Sequence, residues 1–309
     1  MPDHTCIPAA AAPYEPAIFN TAAYAQLHAD RYPTPPLRCI RRIPGDPTTR
    51  GTFQAIQIGP GHYASPACAP HGGFDIAADT DLEAFIETVE AALHQAGAHT
   101  LDIVQPPFCH APTEGPRALA LLCRRGYVVT RQELNQSIPV DARPFLELGA
   151  YATRKRAARA VRLGVATTRL EPARHRAAYD VLVLNRAKKG RTLSMSFAGV
   201  AAMAEAFPDR VHLFGATQGG ALIAAAITVA VTSRILYVHA WGERPGAEPA
   251  SPVTLLARHI HGFAAERGFT LLDLGISSER GVVDPGLHAF KASLGATPSL
   301  KLWLRKTLA

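Results

Sequence analysis

The sequence predicts an α/β fold in which two units of the same kind each lay helices across a mixed sheet. Three observations lead there. The chain has 309 residues, which at about 150 residues per domain is room for two. Charge divides it. No Lys or Arg stands between Arg50 and Arg117, where Asp75, Asp79, Asp81, Glu83, Glu87, Glu90, Asp102 and Glu114 all fall, whereas the stretch from Arg154 to Arg191 is dense in Arg and Lys and has only Glu171 and Asp180 as acids. Finally, strand and helix signals recur in the same order in both halves, which places the units at 1–141 and 142–309.

Composition excludes several classes. At 48% hydrophobic and 18% charged residues, with a mean hydropathy of +0.03, the chain is no disordered tail, coiled coil or disulfide scaffold. The basic excess, 32 Lys and Arg against 25 Asp and Glu for a net +7, suits a polyanionic partner or a phosphate-bearing ligand. No apolar run reaches the roughly 18–20 residues of a membrane span; the longest, Ala221–Val231, reads as a buried strand. The opening MPDHTCIPAA lacks the basic flank and apolar core of a signal peptide. Cys6, Cys39, Cys68, Cys109 and Cys123 are scattered without C-x-x-C spacing, so reduced thiols, a cytoplasmic location and no metal site are expected.

In the first unit, Asn20 is placed to cap a helix over Thr21–Arg31. Leu37–Ile43 and Thr52–Ile58 alternate as strands around the polar turn Pro44–Arg50. Asp79 is placed to cap a helix from about Asp81 to Gln95, whose Leu82, Phe85, Ile86, Val89 and Leu93 recur at helical spacing. Thr100–Val104 reads as a short buried strand, Pro116–Arg125 as a helix stopped by Gly126, and Tyr127–Val140 as one long or bent strand.

The second unit opens with a basic helix over about Thr153–Leu163, stopped by Gly164. Lys155, Arg159 and Arg162 form a cationic stripe, with Ala157, Ala158 and Val161 as the apolar side. Strand Val165–Leu170 and helices Ala173–Ala187 and Phe197–Phe207 follow. Strands Val211–Ala216, Ala221–Val231 and Ile235–Trp241 form a meander. Ser251 and Pro252 are placed as N-cap and first residue of a helix reaching Arg267. Strand Thr270–Leu274, helix Pro285–Leu294 and strand Ser299–Arg305 close the chain.

Three stretches of this unit carry a family resemblance. They are R-K-R-A-A-R-A-V-R-L-G-V from Arg154, Y-V-H-A-W-G-E…S-P-V-T-L-L-A-R-H-I from Tyr237, and L-L-D-L-G-I-S-S…G-L-H-A-F-K-A-S-L-G from Leu271. In that order and spacing the unit resembles the GNAT acyltransferase superfamily, and more narrowly its Fem-type branch. Members of that branch join two GNAT-like domains and often use aminoacyl-tRNA. The resemblance implies two tandem GNAT-like domains, the first degenerate and matched only by its rhythm. It further implies that the parallel strands Ile235–Trp241 and Thr270–Leu274 splay apart to hold an acyl donor, with His239, Trp241, Asp273, Ser277 and Ser278 around the chemistry. Lys291 corresponds to the family lysine near the reacting carbonyl, where a cation stabilises an oxyanion.

The sequence departs from CoA-using members at one loop. Gly242-Glu-Arg-Pro-Gly-Ala-Glu-Pro-Ala-Ser251 stands where those proteins carry a glycine-rich pyrophosphate cradle, and it adds Glu243 and Glu248. Aminoacyl-tRNA is therefore favoured over acyl-CoA as co-substrate, with no permanently bound cofactor. The expected acceptor is the amine of a small molecule or of a cell-wall or natural-product precursor. Lys291, His239 and Asp273 are the catalytic candidates. Arg154, Lys155, Arg159, Tyr179, Trp241, Ser251 and Ser277 are the donor or acceptor contacts, with Asn185 beside Tyr179. His259 and His261, two apart on a helix, cannot share a metal. Ser65, His71 and Asp75 lack a nucleophile elbow and are not read as a triad. The alternatives are an acetyl-CoA-dependent N-acetyltransferase, or a non-catalytic GNAT scaffold that binds RNA or protein through its basic stretch.

Overall fold

The computed structural model describes residues 14–32, 34–42, 48–66, 68–78 and 80–308. The expected roles of Cys6, Ile43, Asp79, the start of the Pro44–Arg50 turn and the first ten residues lie outside that range. Among the described residues the strands are β1 Leu37–Arg42, β2 Thr49–Gly59, β3 His62–Ser65, β4 Asp75–Ile76, β5 Thr100–Val104, β6 Val128–Pro139 and β7 Ala166–Arg169. They continue with β8 Val211–Gln218, β9 Ala221–Ala230, β10 Ile235–Glu243, β11 Leu271–Ile276, β12 Ser278–Glu279, β13 Val282–Val283 and β14 Thr297–Thr307. The helices are α1 Ala22–Leu27, α2 Leu82–Gln95, α3 Glu114–Arg124, α4 Phe145–Leu148, α5 Tyr151–Arg162, α6 His175–Lys188, α7 Phe197–Ala206, α8 Pro252–Glu266 and α9 Pro285–Ser293.

All but the small β12–β13 hairpin join one mixed sheet, in the order β1-β2-β3-β5-β14-β6-β11-β10-β9-β8-β7 with β4 on β2. Two pairs are parallel, β3 with β5 and β10 with β11. Around each the arrangement repeats, because the two long strands are exchanged. β14 follows α9 of the second unit yet pairs with β5 of the first. β6 follows α3 of the first unit yet pairs with β11 of the second. The two then pair with each other from Thr297 to Arg305.

The exchange follows from where the apolar residues sit. Leu302 and Leu304 of β14 are buried with Phe53, Phe85 and Leu101 in the first unit's core. Ile138 of β6 is buried with Leu236, Leu256 and Leu272 in the second unit's core. Each buried leucine or isoleucine contributes about 1.5–3 kcal/mol, so each unit is completed by side chains of the other.

Several elements differ locally from expectation. Thr21, not Asn20, caps α1, accepting the Tyr24 N–H at 3.2 Å. The helix is also shorter, because the chain tightens into a 3-10 turn at Ala29–Arg31. Asp81 caps α2, accepting from Ala84 N–H. Ser251 stands before α8 in a left-handed conformation and makes no side-chain cap. α5 buries Thr153, Ala157 and Ala160 against α8, which leaves Val161 exposed.

The first unit's counterpart of the parallel-strand gap is filled by its own chain. Gly72 N–H donates to Val104 O and Gly73 N–H to Ser65 Oγ, both at 2.9 Å. Gly73 has φ +73°, and a Cβ there would lie 2.8 Å from Ile103. Glycine is what lets the segment close this far.

If β14 completes the first unit, Leu304→Ala should cost about 2–5 kcal/mol. Urea unfolding checks it; an unchanged midpoint would contradict a core role for β14.

Candidate active site

The site begins where β10 and β11 part. Their parallel register covers Ile235–Tyr237 against Leu271–Asp273 and stops. β10 runs on to Glu243 and β11 to Ile276. On its other edge β10 slips register against β9 between Val238 and Ala240, which makes His239 the extra residue of a bulge. Gly275, at φ +75°, turns β11 aside, and a Cβ there would meet the Tyr237 ring at 3.4 Å.

Side chains satisfy the backbone that this parting strands. Lys291, on α9 and 2% exposed, donates from Nζ to Gly275 O and Ile276 O, each at 2.8 Å. Burial pulls its pKa down to about 7, against the attraction of Asp273. Asp273 Oδ1 accepts the Gly275 N–H and the Asn135 Nδ2–H, both at 2.8 Å. Its Oδ2 lies 2.8 Å from His110 Nε2. Burial alone would raise this carboxyl, but His110, Gly275 and Asn135 hold it below the usual range.

A cleft of about 740 Å³ opens at the gap, within the usual range for ligand sites. Tyr237, His239 and Trp241 form one wall, Phe290 and Lys291 another, and Arg156, Arg186, Lys189 and Arg191 bring positive charge to it. Asn185 closes on β10, donating to Glu243 O at 2.9 Å. The approach demands Gly242, where a Cβ would fall 2.4 Å from Asn185.

Glu243 ends β10, and Glu248 opens a 3-10 turn in the loop before α8. Burial followed by Glu248 pushes the Glu243 pKa up, against the pull of Lys189, Lys188 and the Val253 backbone. Glu248 Oε2 accepts the Gly246 N–H at 2.8 Å, while its Oε1 pairs with Lys188. An amide of the loop before α8 is thus taken by the protein's own carboxylate.

The structure divides the sequence-derived candidates. Lys291, His239, Trp241, Ser251 and Asn185 line the cleft, as does Ser278. Trp241 packs on Phe290 with ring centres 5.9 Å apart. His239 is held neutral, its pKa lowered to about 4 by burial, Arg186 and Lys301; so weak a base suits a polar wall better than a proton acceptor at neutral pH. Asp273 lies behind the cleft wall, facing His110 and Asn135. Ser277 points away as well, donating to Gln136 Oε1 at 2.6 Å. Tyr179 donates to Met195 O at 3.0 Å and packs on Phe197, away from the cleft. Arg154, Lys155 and Arg159 are exposed on α5, and none lines the cleft.

From α5 it is Arg156 that reaches the cleft, bonded to Ser293 Oγ at 2.6 Å. Its position follows from the face that α5 buries, which the stripe of cations alone did not reveal. Arg186 is half-buried beside Arg191, and burial with that neighbour lowers its pKa. Cys109, His110 and Asp273 bring ligand-type atoms within 4.8 Å of one another. Each is already engaged: Asp273 as above, and Cys109 with Asn135 Nδ2 at 3.5 Å. Burial keeps the thiol protonated, at a pKa of about 11, so the group is a hydrogen-bonded cluster in this state. Among the described residues no helix is long and apolar enough to cross a membrane.

Comparison with known proteins agrees with this geometry. The family model "Acetyltransferase (GNAT) domain" matches residues 150–291. No curated protein matches the sequence. Among solved structures, FemX superposes with a TM-score of 0.74 at 13% identity, over 94% of this chain and 92% of its own. The C-terminal domain of a putative lysylphosphatidylglycerol synthetase from Agrobacterium fabrum gives 0.59 at 13% identity, over 83% of this chain and 80% of that one. A tandem GNAT protein from the clavulanic acid biosynthesis pathway gives 0.53 at 14% identity, over 95% and 90%. Residues 150–291 match a GNAT acyltransferase domain, and the chain as a whole shares the fold of FemX.

Proposed function

We propose that the protein transfers an aminoacyl group from aminoacyl-tRNA to the amine of a small-molecule, cell-wall or natural-product acceptor. The observation that carries the choice of donor is the acidic loop before α8. A CoA pyrophosphate needs free amides there, yet Glu248 takes the Gly246 N–H and the half-buried Glu243 carboxylate stands at the start of the same loop. CoA would also bring its phosphates against these two carboxylates. The cationic cleft residues Arg156, Arg186 and Lys189, and the exposed Arg154, Lys155 and Arg159 on α5, suit a polyanion that enters from elsewhere.

In this reading the acceptor amine, as its free base, attacks the ester carbonyl of the donor. A C–N bond forms, the C–O bond to the ribose breaks, and the amine proton passes to the leaving oxygen. The Lys291 ammonium, fixed by two carbonyls at the gap, faces the oxyanion as charge develops. Trp241 and Phe290 supply an apolar wall for the acyl side chain. The second reading, acyl-CoA as donor, draws on the likeness to a clavulanic acid pathway protein described without acetyl-CoA.

Donor choice is tested by calorimetry with acetyl-CoA beside gel shifts with bulk tRNA at two salt concentrations. The expected result is no CoA heat and a tRNA shift that weakens with salt, with a shallower salt slope when Arg154, Lys155 and Arg159 are neutralised. Micromolar CoA binding without a tRNA shift would overturn the proposed donor.

Lys291 supplies a second test. Its charged form predominates below its pKa of about 7, so turnover that depends on the ammonium should decline as pH rises through that value. Lys291→Met should keep the circular dichroism spectrum while lowering kcat by about 10²-fold, the scale of removing one oxyanion donor. Unchanged turnover in a folded Lys291→Met protein would remove Lys291 from the mechanism.

A further inference from the structure

The first unit reaches the cleft through hydrogen bonds joined by the Gly275 backbone. His110, which ends a 3-10 turn at Phe108–His110 after β5, has Nε2 at 2.8 Å from Asp273 Oδ2. Asp273 Oδ1 accepts the Gly275 N–H at 2.8 Å, and Gly275 O accepts from Lys291 Nζ at 2.8 Å. His110 and Asp273 are 163 positions apart in the chain, with side chains 5% and 1% exposed. So costly a buried polar pair persists only where its partners are fixed.

We propose that His110 is a positioning residue for Lys291: acting through Asp273 and the Gly275 backbone, it ties a first-unit contact to the amine of the second unit's cleft. The inference rests on the reading of Lys291 as the group that meets the acyl carbonyl. It gives the first unit a part in the site although its own strand gap is filled.

The chemistry runs in one direction. Asp273 is a buried carboxylate kept ionised by donors, His110 first among them. Its negative charge favours the ammonium form of Lys291. Remove the His110 donor and Asp273 takes a proton more readily, withdrawing the anion that supports Lys291. Other charged or titratable groups bear on the chain. Arg186 and Asp284 act on Lys291. Asp273 in turn acts on Cys109, Tyr237 and Lys301. The His71 ring stands edge-on to His110 at 5.0 Å. None of these replaces the bond that His110 makes.

Competitive labelling of the full-length protein with acetic anhydride tests this without any substrate, so its failure is distinct from failure of the transfer assay. Peptide mass spectrometry follows Lys291 acetylation across about pH 5–10, which gives its titration curve. In Asp273→Asn and His110→Ala the midpoint should fall by about half a unit or more, a gain of about threefold in labelling below it. His110→Gln, which keeps an N–H for Asp273, should stay near the wild-type curve. A merely structural histidine would alter the thermal melt without separating Ala from Gln at Lys291. If His110→Ala does not fold, the isosteric Asp273→Asn decides alone. An unchanged Lys291 curve in folded Asp273→Asn protein, or identical curves for His110→Ala and His110→Gln, would overturn the proposal.

Discussion

Everything in the site depends on two parallel strands that stop pairing. After Tyr237 and Asp273, β10 and β11 leave backbone groups that have lost their ladder partners, and a buried backbone group without a partner is expensive. Three side-chain and backbone contacts discharge that cost on the β11 side. Lys291 covers the Gly275 and Ile276 carbonyls, Asp273 covers the Gly275 N–H, and Leu134 O accepts the Ser277 N–H. With β11 satisfied from elsewhere, the gap stays open and the facing edge of β10 borders the cleft. A buried lysine is tolerated because it does this work; its depressed pKa is the consequence.

The exchanged strands explain why the two halves behave as one site. β6 and β14 lie side by side at the centre of the sheet, each completing the core of the other unit. The position of β11 is therefore set from the first unit, through β6 and through His110. In return the first unit has lost its own gap: Gly72 bonds to Val104 O of β5 and Gly73 to Ser65 Oγ at the end of β3. One unit has kept the opening, and the other supports it.

Much of this was legible in the sequence, and the parts that were not share a cause. Strong periodicity marked α2 and its buried Leu82, Phe85, Ile86, Val89 and Leu93 as observed. The F-K-A-S-L-G stretch pointed to Lys291, and the two glutamates of the 242–251 loop pointed away from a pyrophosphate site. Short strands were lost: β3 has four residues behind the Gly59-Pro-Gly61 turn, and β4 has two. The burial of Lys291 was not readable, since it depends on β11 turning aside at Gly275. His110 and Arg186 gave no local signal either, because their partners lie on distant elements. On α5 the cationic stripe was visible, but the helix face that packs on α8 decides that Arg156 reaches the cleft.

The most direct test of the splayed-strand account is hydrogen exchange of the protein with and without the proposed donor, using aminoacyl-tRNA with a non-hydrolysable amide link. Bound donor should slow exchange at the ends of β10 and β11, from His239 to Glu243 and from Gly275 to Ser277, and leave Ser65 to Gly73 of the first unit unchanged. Protection confined to the first unit, with none at the β10–β11 gap, would contradict it.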